Sequence, residues 1–207
     1  MYRIRSYKEK DLKDCTKCFY EGFFESKAEE RDWLLLKDYT QVMLEKSNFN
    51  LVAEKDGMVV GFVSGIYNKS FNKKLAKTYE QKQHYGAFIK LSLKFYLKRY
   101  NTSPDFKKEF ELFFQKMMER EPSTFGYCDC ELAALSSRKD YRKGLGTALV
   151  NGMVEKCTHE KVKNIRLFTN TDASYKFYDK YGLTKIYEKP YSFDERQGKS
   201  MIYELLL

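Results

Sequence analysis

The segment NLVAEKDGMVVGFVSGIY, residues 50–67, constrains the fold more than any other part of the chain. Two β-type runs rich in apolar residues flank the pair Asp56-Gly57. An Asp-Gly pair between two such runs is a strong signal for a β-hairpin with a two-residue turn. The chain is therefore expected to contain an antiparallel strand pair, placed after two segments of helical periodicity.

The remaining sequence alternates between strand-like and helix-like patterns. Strands are predicted over 2–7, 127–137, 164–169, 183–191 and 199–206, with a polar turn containing Gly198 between the last two. Helices are predicted over 11–24, 32–46, 83–100, 172–181, after Gly146, and from Pro104 onward with Ser103 as the cap. This order indicates one α/β domain over residues 1–207, with a mixed sheet and a helical insertion at about 68–122 between the third and fourth strands.

The chain carries a net charge of +9, and most of the excess lies in residues 68–122, with 13 Lys/Arg against 6 Asp/Glu. Such a segment can serve nucleic acid, anionic lipid or an acidic substrate, or be a solvated helix face that covers the domain. No DNA- or RNA-reading motif accompanies it, so nucleic acid is not the predicted partner. No apolar run approaches the roughly 18 residues of a membrane span, and residues 1–14 are charged and lack the apolar region expected of a signal peptide. We expect a cytoplasmic protein that does not bind membranes.

Five cysteines, an odd number, argue against an even disulfide framework. Cys15 and Cys18 form a CxxC pair, and Cys128 and Cys130 form a CxC pair, so a four-thiolate zinc site is conceivable. Each pair, however, falls on one apolar face of a predicted helix or strand, and Cys157 lies on the buried face of another. Buried free thiols explain this pattern, and no metal site is predicted.

The stretch KDYRKGLGTALV, residues 139–150, is the main candidate for chemistry. A predicted strand leads into Gly144 and Gly146, and an apolar helical run follows at once. The first amides of a helix lack internal partners, and glycine lets the backbone approach an anion closely. By itself the pair is equally compatible with a simple glycine turn, and it matches neither GxxxxGK[ST] nor GxGxxG.

Its wider context, ELAALSSRKDYRKGLGTALV, resembles the cofactor-binding motif of the GNAT (Gcn5-related N-acetyltransferase) superfamily. In that family a strand runs into an Arg/Gln-x-x-Gly-x-Gly/Ala loop and a helix. About 30 residues later, NTDASYKFYDKYGL resembles the family's second motif, which includes Asn170, Tyr178 and Gly182. The loop departs from the pattern in one respect. Counted back from Gly144, the Arg/Gln position is Tyr141, and Arg142 fills it only in a loop one residue shorter.

The resemblance implies an α/β fold with a mixed, mostly antiparallel central sheet flanked by helices. It also implies an N-acetyltransferase that moves the acetyl group of acetyl-CoA to a primary amine by direct attack in a ternary complex. The acceptor would be an amine-bearing small molecule or peptide, and the protein a monomer or homodimer. The altered loop keeps open an alternative, a non-catalytic CoA- or acyl-CoA-binding sensor or interaction module.

The resemblance also implies roles for individual residues. Tyr178 occupies the position of the family's general-acid tyrosine. Glu131, on the strand leading to the site, is the best candidate for a base, with Asp129 as second choice. The acceptor side would involve residues 23–36, with Trp33, and residues 192–199, and the insertion could add a lid. Residues expected to contact acetyl-CoA are Leu135, Ser136, Ser137, Arg142, Lys143, Gly144, Leu145, Gly146, Thr147, Asn170 and Ser174.

Overall fold

A computed structural model describes residues 2–76, 85–97, 99–118, 125–193 and 196–207. Seven strands and six principal helices lie in these ranges. In chain order they are β1 Arg3–Ser6, α1 Leu12–Phe23, α2 Trp33–Lys46, β2 Phe49–Lys55, β3 Met58–Tyr67, α3 Tyr85–Tyr96, α4 Pro104–Met118, β4 Cys130–Ser137, α5 Leu145–His159, β5 Asn164–Asn170, α6 Lys176–Tyr181, β6 Thr184–Phe193 and β7 Arg196–Leu206.

The seven strands form one sheet in the order β1-β2-β3-β4-β5-β7-β6. Every neighbouring pair is antiparallel except β4 and β5, which are parallel. The helices α3 and α4 lie between β3 and β4 in the sequence. The predicted fold class, a mostly antiparallel sheet flanked by helices with a helical insertion after the third strand, is confirmed.

The hairpin predicted at Asp56-Gly57 joins β2 to β3. Both turn residues are left-handed, with φ of 52° at Asp56 and 78° at Gly57. Two consecutive left-handed residues match the twist of the flanking strands, which is why Asp-Gly is favoured there.

The two faces of the sheet carry separate hydrophobic cores. On one face, α5 covers side chains that alternate along the strands, among them Leu51, Ala53, Val60 and Val63. The opposite face packs against α1, α2 and α4. That second core contains Val52, Val59, Phe62 and Ala134 from the sheet, together with Phe19, Phe24, Leu35, Phe106 and Phe110 from the helices.

The first residues of α2 and α4 meet at one buried carboxylate, that of Asp32. Its oxygens accept hydrogen bonds from the amide and hydroxyl of Ser103, at 2.7 and 2.8 Å, and from the amide of Glu29 at 2.8 Å. The predicted position of Ser103 as the cap is confirmed, since α4 begins at Pro104, although its hydroxyl is donated to Asp32. Its backbone carbonyl does accept the first helical bond, from Lys107.

Two predictions differ from the structure. The helix predicted over 172–181 begins only at Lys176, because the Asn170 carboxamide stabilises turns at 172–173. Gly198 is not in a turn but inside β7, opposite Tyr191. A Cβ at Gly198 would lie 2.5 Å from the Tyr191 ring and the Thr171 hydroxyl, so a close contact requires this glycine.

Some predicted positions lie outside the described residues. They are Gln83, His84 and Lys98 of the helix predicted over 83–100, residues 77–82 and 119–122 of the predicted insertion, and Asp194 and Glu195 of the predicted acceptor loop. No helix in the described ranges is long and apolar enough to cross a membrane.

Candidate active site

The sheet splits between β4 and β5. These strands pair only at their beginnings, Cys130 with Ile165 and Glu131 with Arg166, whereas β4 stays paired with β3 as far as Ser137. Past Glu131, the edge of β4 that faces β5 has no strand partner. The gap is a cleft of about 340 Å³, lined by both strands, by the loops that follow them and by five helices.

The unpaired edge of β4 offers backbone donors to the cleft. The amide of Arg138 donates to the carbonyl of Val60 on β3, at 2.9 Å. Because backbone groups alternate between the two edges of a strand, the amides of Leu135 and Ser137 face the other way, toward the cleft. An open strand edge of this kind can pair with an extended ligand.

A β-bulge turns β4 as it enters the cleft. Ser64 of β3 pairs with Ala134, but Gly65 pairs with Leu132, which leaves Ala133 unpaired with β3. Leu132 packs in the core under α5, and Ala134 packs in the core under α1. Residues two apart normally share a face, so the extra residue reverses the faces beyond it.

Six consecutive residues, 142–147, lie at the end of the cleft, and four of them, Arg142, Gly144, Gly146 and Thr147, line it. Their backbone amides share one property. Within the described part of the chain none of them donates a hydrogen bond, and the first bond of α5 runs from Ala148 to the carbonyl of Gly144, at 3.1 Å. Unpaired amides and the partial positive charge of a helix N-terminus attract anions. This arrangement is suited to a phosphate group.

The two glycines of this loop are needed for different reasons. Gly144 is left-handed, with φ of 75°, and a Cβ there would meet no atom within 4 Å. It is a glycine because of its backbone conformation. A Cβ at Gly146 would lie 3.2 Å from the ring of Phe177. Gly146 therefore allows α5 to begin against α6.

The end of α1 holds the loop in place. The carboxylate of Glu21 accepts hydrogen bonds from the Arg138 side chain at 3.0 Å and the Lys139 amide at 2.8 Å. The Arg142 guanidinium donates to the carbonyl of Glu21 and lines the cleft. The ring of Tyr141 instead packs beside the α5-side core, 5.4 Å from the ammonium of Lys55. Arg142, not Tyr141, is the residue of this pair that borders the cleft.

Tyr178 and Ser174 lie on the opposite wall of the cleft. The ring of Tyr178 contacts those of Phe177 and Tyr203, with centroids 5.2 and 5.7 Å away. Burial raises the pKa of its hydroxyl above the ordinary value. No described residue bonds to that hydroxyl, so it is a protonated donor available to a ligand.

The model of the acetyltransferase (GNAT) family matches residues 11–183. The chain belongs to the GNAT family. Members of this family are acetyltransferases, so family membership implies acetyl transfer as the chemistry of this protein. A search of curated proteins finds no match for this GNAT chain.

Solved structures agree with this membership. The ribosomal-protein-alanine N-acetyltransferase of Brucella melitensis is 17% identical, with a TM-score of 0.57 over 99% of each chain. An N-acetyltransferase from Staphylococcus aureus Mu50 is 14% identical, with a TM-score of 0.56 over 100% of this chain and 98% of that one. The protein yncA of Salmonella typhimurium, determined with its cofactor acetyl-CoA, is 13% identical, with a TM-score of 0.56 over 100% and 94%. At these identities the likeness establishes the GNAT fold alone.

Most of the predicted cofactor contacts of this GNAT domain line the cleft. They are Leu135, Ser136, Ser137, Arg142, Gly144, Gly146, Thr147 and Ser174. The side chain of Ser136 is nevertheless committed elsewhere, since its hydroxyl donates to the carbonyl of Cys18 at 2.6 Å. The position of this hydroxyl also explains why residue 22 is a glycine, since a Cβ at Gly22 would lie 2.1 Å from it.

Three predicted contacts of the GNAT site do not line the cleft. Leu145 is fully buried in the core, and the side chain of Lys143 is exposed. The carboxamide of Asn170 accepts hydrogen bonds from the amides of Asp172 and Ala173, at 3.0 and 3.2 Å. Asn170 thus shapes the loop that carries Ser174.

The two carboxylates predicted as bases lie at or before the start of β4, outside the lining of the cleft. Asp129 is buried, and its oxygens accept from the Tyr127 hydroxyl at 2.7 Å and the Lys163 amide at 2.8 Å. Glu131 is half-buried at the last paired position of β4 with β5. Asp129 therefore supports the turn before β5.

Sequence reasoning missed the apolar end of the cleft. We use that name for Phe19, Phe23, Tyr39, Met43 and Phe113, which line the cleft from α1, α2 and α4. Of these five, only Phe23 falls within the range predicted for the acceptor side, residues 23–36. Trp33, expected on the acceptor side, does not line the cleft and packs against Tyr20, with ring centroids 5.3 Å apart.

The inserted helix α4 is fastened at both sides of this apolar end. The carboxylate of Glu109 accepts hydrogen bonds from the amides of Glu25 and Ser26, at 2.8 and 3.0 Å. Two turns further along, Lys116 forms an ion pair with Asp172, in the loop after β5. Phe113 lies between these anchors, so α4 is fixed across the cleft of this GNAT domain.

Proposed function

We propose that the protein transfers the acetyl group of acetyl-CoA to a primary amine by direct attack in a ternary complex. The observation that supports this most is the row of six unpaired amides at residues 142–147, four of which belong to residues that line the cleft at the split between β4 and β5. The row suits a diphosphate, and the strand edge beside it suits an extended pantetheine arm. Because both features belong to one cleft, they fit one long cofactor.

The loop would bind the diphosphate mainly through its backbone. Amides of Arg142–Thr147 would donate to phosphate oxygens, and the guanidinium of Arg142 would add charge. Arg142 is held at the cleft by its bond to the Glu21 carbonyl. Lys143, with an exposed side chain, would contribute through its amide.

The open edge of β4 would position the reacting carbonyl. The amides of Leu135 and Ser137 face the cleft, and either could donate to the thioester oxygen as negative charge develops on it. The amide that remains would pair with the pantetheine arm. No side chain is required for this step, so apolar Leu135 is compatible with it.

Tyr178 would stabilise the departing sulfur. An alkyl thiol has a pKa of ~8.5, lower than that of a phenol, so the tyrosine need not transfer its proton completely. Burial raises the phenol's pKa further and keeps the hydroxyl protonated. We therefore assign Tyr178 the role of hydrogen-bond donor and general acid toward the CoA thiolate that leaves when the C–S bond breaks.

The acceptor amine must lose a proton before or during attack, since its pKa is ~10. The described lining of the cleft contains no carboxylate. Glu131 lies four residues before Leu135, roughly 13 Å along the strand. We propose that Glu131 receives the proton through water.

A thiol-release assay with acetyl-CoA and a panel of amines tests this function directly, alongside calorimetric measurement of acetyl-CoA binding. We expect calorimetry to detect acetyl-CoA binding and the thiol assay to detect release of CoA above hydrolysis with at least one amine. Tight binding without amine-dependent release would instead favour a non-catalytic acyl-CoA sensor.

A further inference from the structure

The apolar end of the cleft is a box of aromatic rings. Phe19 is central, with ring centroids 5.1 Å from Phe23, 5.2 Å from Tyr39 and 5.6 Å from Phe113. Phe23 and Phe113 are themselves 5.5 Å apart. Three separate helices, α1, α2 and α4, contribute these rings, so the box exists only in the folded protein.

The lining of the cleft is charged only at its other end among the described residues, since the ion pair of Lys116 with Asp172 beside the apolar end is not part of that lining. Of the described residues that line the cleft, Arg142 alone is charged, and it lies at the phosphate loop. The carboxylates that α1 and α4 place nearby are already bonded to the protein. Glu21 accepts from Arg138 and Lys139, and Glu109 accepts from the loop after α1. A multiply charged acceptor would therefore lose water here without gaining an ion pair.

We propose that the acceptor is a primary amine that carries an aromatic or bulky apolar group, held in this box. The proposal rests on the proposed function and specifies its substrate class. Burial of an apolar group against the rings would bind the acceptor, and edge or face contacts between rings would orient it. The basic charge of the insertion plays no part, because the face of α4 that lines the cleft presents Phe113.

The hydroxyl of Tyr39 is the polar group of the box. It has no bonded partner among the described residues, and burial raises its pKa, so it stays protonated. This hydroxyl can accept a hydrogen bond from the amine N–H and so direct the nitrogen. We assign Tyr39 as a positioning residue.

Steady-state kinetics of thiol release with 2-phenylethylamine, n-butylamine and spermidine tests the substrate class. We expect kcat/KM for 2-phenylethylamine to exceed that for n-butylamine by ~10-fold or more, the effect of burying one ring. Spermidine should be the poorest acceptor. Aromatic rings can also attract cations, so equal or better activity with spermidine would overturn the proposal while leaving the acetyltransferase intact. Absence of release with every amine would instead refute the proposed function and this inference with it.

Substitution of Phe23 by glutamate sharpens the test. Phe23 is 36% exposed, so a solvated carboxylate can be tolerated there. Phe23→Glu should lower kcat/KM for 2-phenylethylamine by ~10-fold and raise that for spermidine, with the KM for acetyl-CoA unchanged. Leu34→Glu, at a 56% exposed position on α2 that does not line the cleft, is the matched control. An unchanged ratio between the two amines would overturn the assignment of the box.

A longer acyl group is the competing occupant, and butanoyl-CoA distinguishes it. If the box holds the acceptor, butanoyl-CoA should not be preferred over acetyl-CoA, and Phe23→Glu should leave the KM of both donors unchanged. Preference for butanoyl-CoA, lost in Phe23→Glu, would assign the box to the acyl chain and overturn the proposal.

The role of Tyr39 is tested separately. Tyr39→Phe should raise the KM for 2-phenylethylamine by a few-fold at equal acetyl-CoA affinity.

Discussion

The two ends of the cleft are built from different parts of the polypeptide. The phosphate end is made of backbone, six free amides in six consecutive residues, 142–147. The apolar end is made of side chains from three helices, and Phe19 and Phe113 are almost a hundred residues apart in the sequence. Under the proposed function, the comparison teaches that the cofactor would be bound by local backbone geometry, whereas the acceptor would be bound by side chains that tertiary packing brings together. Mutations at one end should therefore leave ligand binding at the other end unchanged.

Gly144→Val should have the largest effect. A β-branched residue at a left-handed position costs ~1–2 kcal/mol or more and would move the loop amides. Loss of two charge-assisted bonds of ~1.5–3 kcal/mol each would weaken acetyl-CoA binding by ~100-fold or more, measured by calorimetry. Gly57→Val is the matched control, since Gly57 is also left-handed, with φ of 78° and no neighbour within 4 Å of its Cβ. If both variants bind equally well, the loop assignment is wrong.

Tyr178 lies in the middle of the cleft, and Tyr178→Phe should lower kcat more than it lowers the affinity for acetyl-CoA. General acids typically contribute ~10²–10⁴ in rate, and a thiol is a fair leaving group, so we expect a fall in kcat of ~10–100-fold. Because the pKa of Tyr178 is raised, wild-type activity should not decline through phenol ionisation below pH ~10. Tyr181→Phe, which removes a hydroxyl bonded to Asn151, is the control. A Tyr178→Phe rate equal to wild type would reduce this residue to a packing role.

Gly146→Ala should weaken acetyl-CoA binding less, by an amount that depends on how far the ring of Phe177 can shift. The added Cβ would meet the ring of Phe177 at 3.2 Å, so this ring must shift by a few tenths of an ångström. We expect acetyl-CoA affinity to fall by ~3–10-fold, about 1 kcal/mol. Phe177→Leu in the same chain should restore it, whereas it should not rescue Gly144→Val. Failure of this rescue would argue against a contact-based role for Gly146.

Lys116→Met should have the smallest effect, and only at the apolar end. Lys116 pairs with Asp172 across the cleft, and pairs of this kind contribute ~0.2–1 kcal/mol. We expect the KM for the amine to rise by ~2–4-fold with the KM for acetyl-CoA unchanged. Lys107→Met, which removes a pair within α4 to Glu111, should change neither. An equal rise in both KM values would show that α4 supports the whole cleft.

The difference between the two ends also explains what could be predicted from the sequence. Gly144, Gly146 and Tyr178 lie in short motifs whose spacing reflects local backbone requirements, so their elements were identified correctly. The bulge at Ala133 has no local signature, because it depends on the pairing of β4 with β3. The box around Phe19 was missed for a related reason. Helical periodicity identifies an apolar face but not the helix that covers it.

Errors and omissions in the predictions share this cause. Gly198 resembled a turn glycine, but its role is a close approach to Tyr191 on the neighbouring strand. Ser103 holds the cap position before α4 as predicted, but the partner of its hydroxyl, Asp32, lies 71 residues away and was not foreseen. In each case a residue type with a common local use serves a distant partner. Such uses become visible only when the strands and helices are placed in space.

The shared carboxylate of Asp32 gives the apolar end a mechanical property. It joins the beginnings of α2 and α4 at one point, and the two helices extend from it toward Tyr39 and Phe113. Phe113 lies ten residues beyond Ser103, an arm of roughly 15 Å along the helix. A rotation of α4 by about 10° around this pivot would displace Phe113 by about 2.6 Å over that arm. Such a rotation would have to break the bonds of Glu109 and Lys116 that fasten α4 on either side of Phe113, so the shared carboxylate and these two anchors together hold the apolar end at one width.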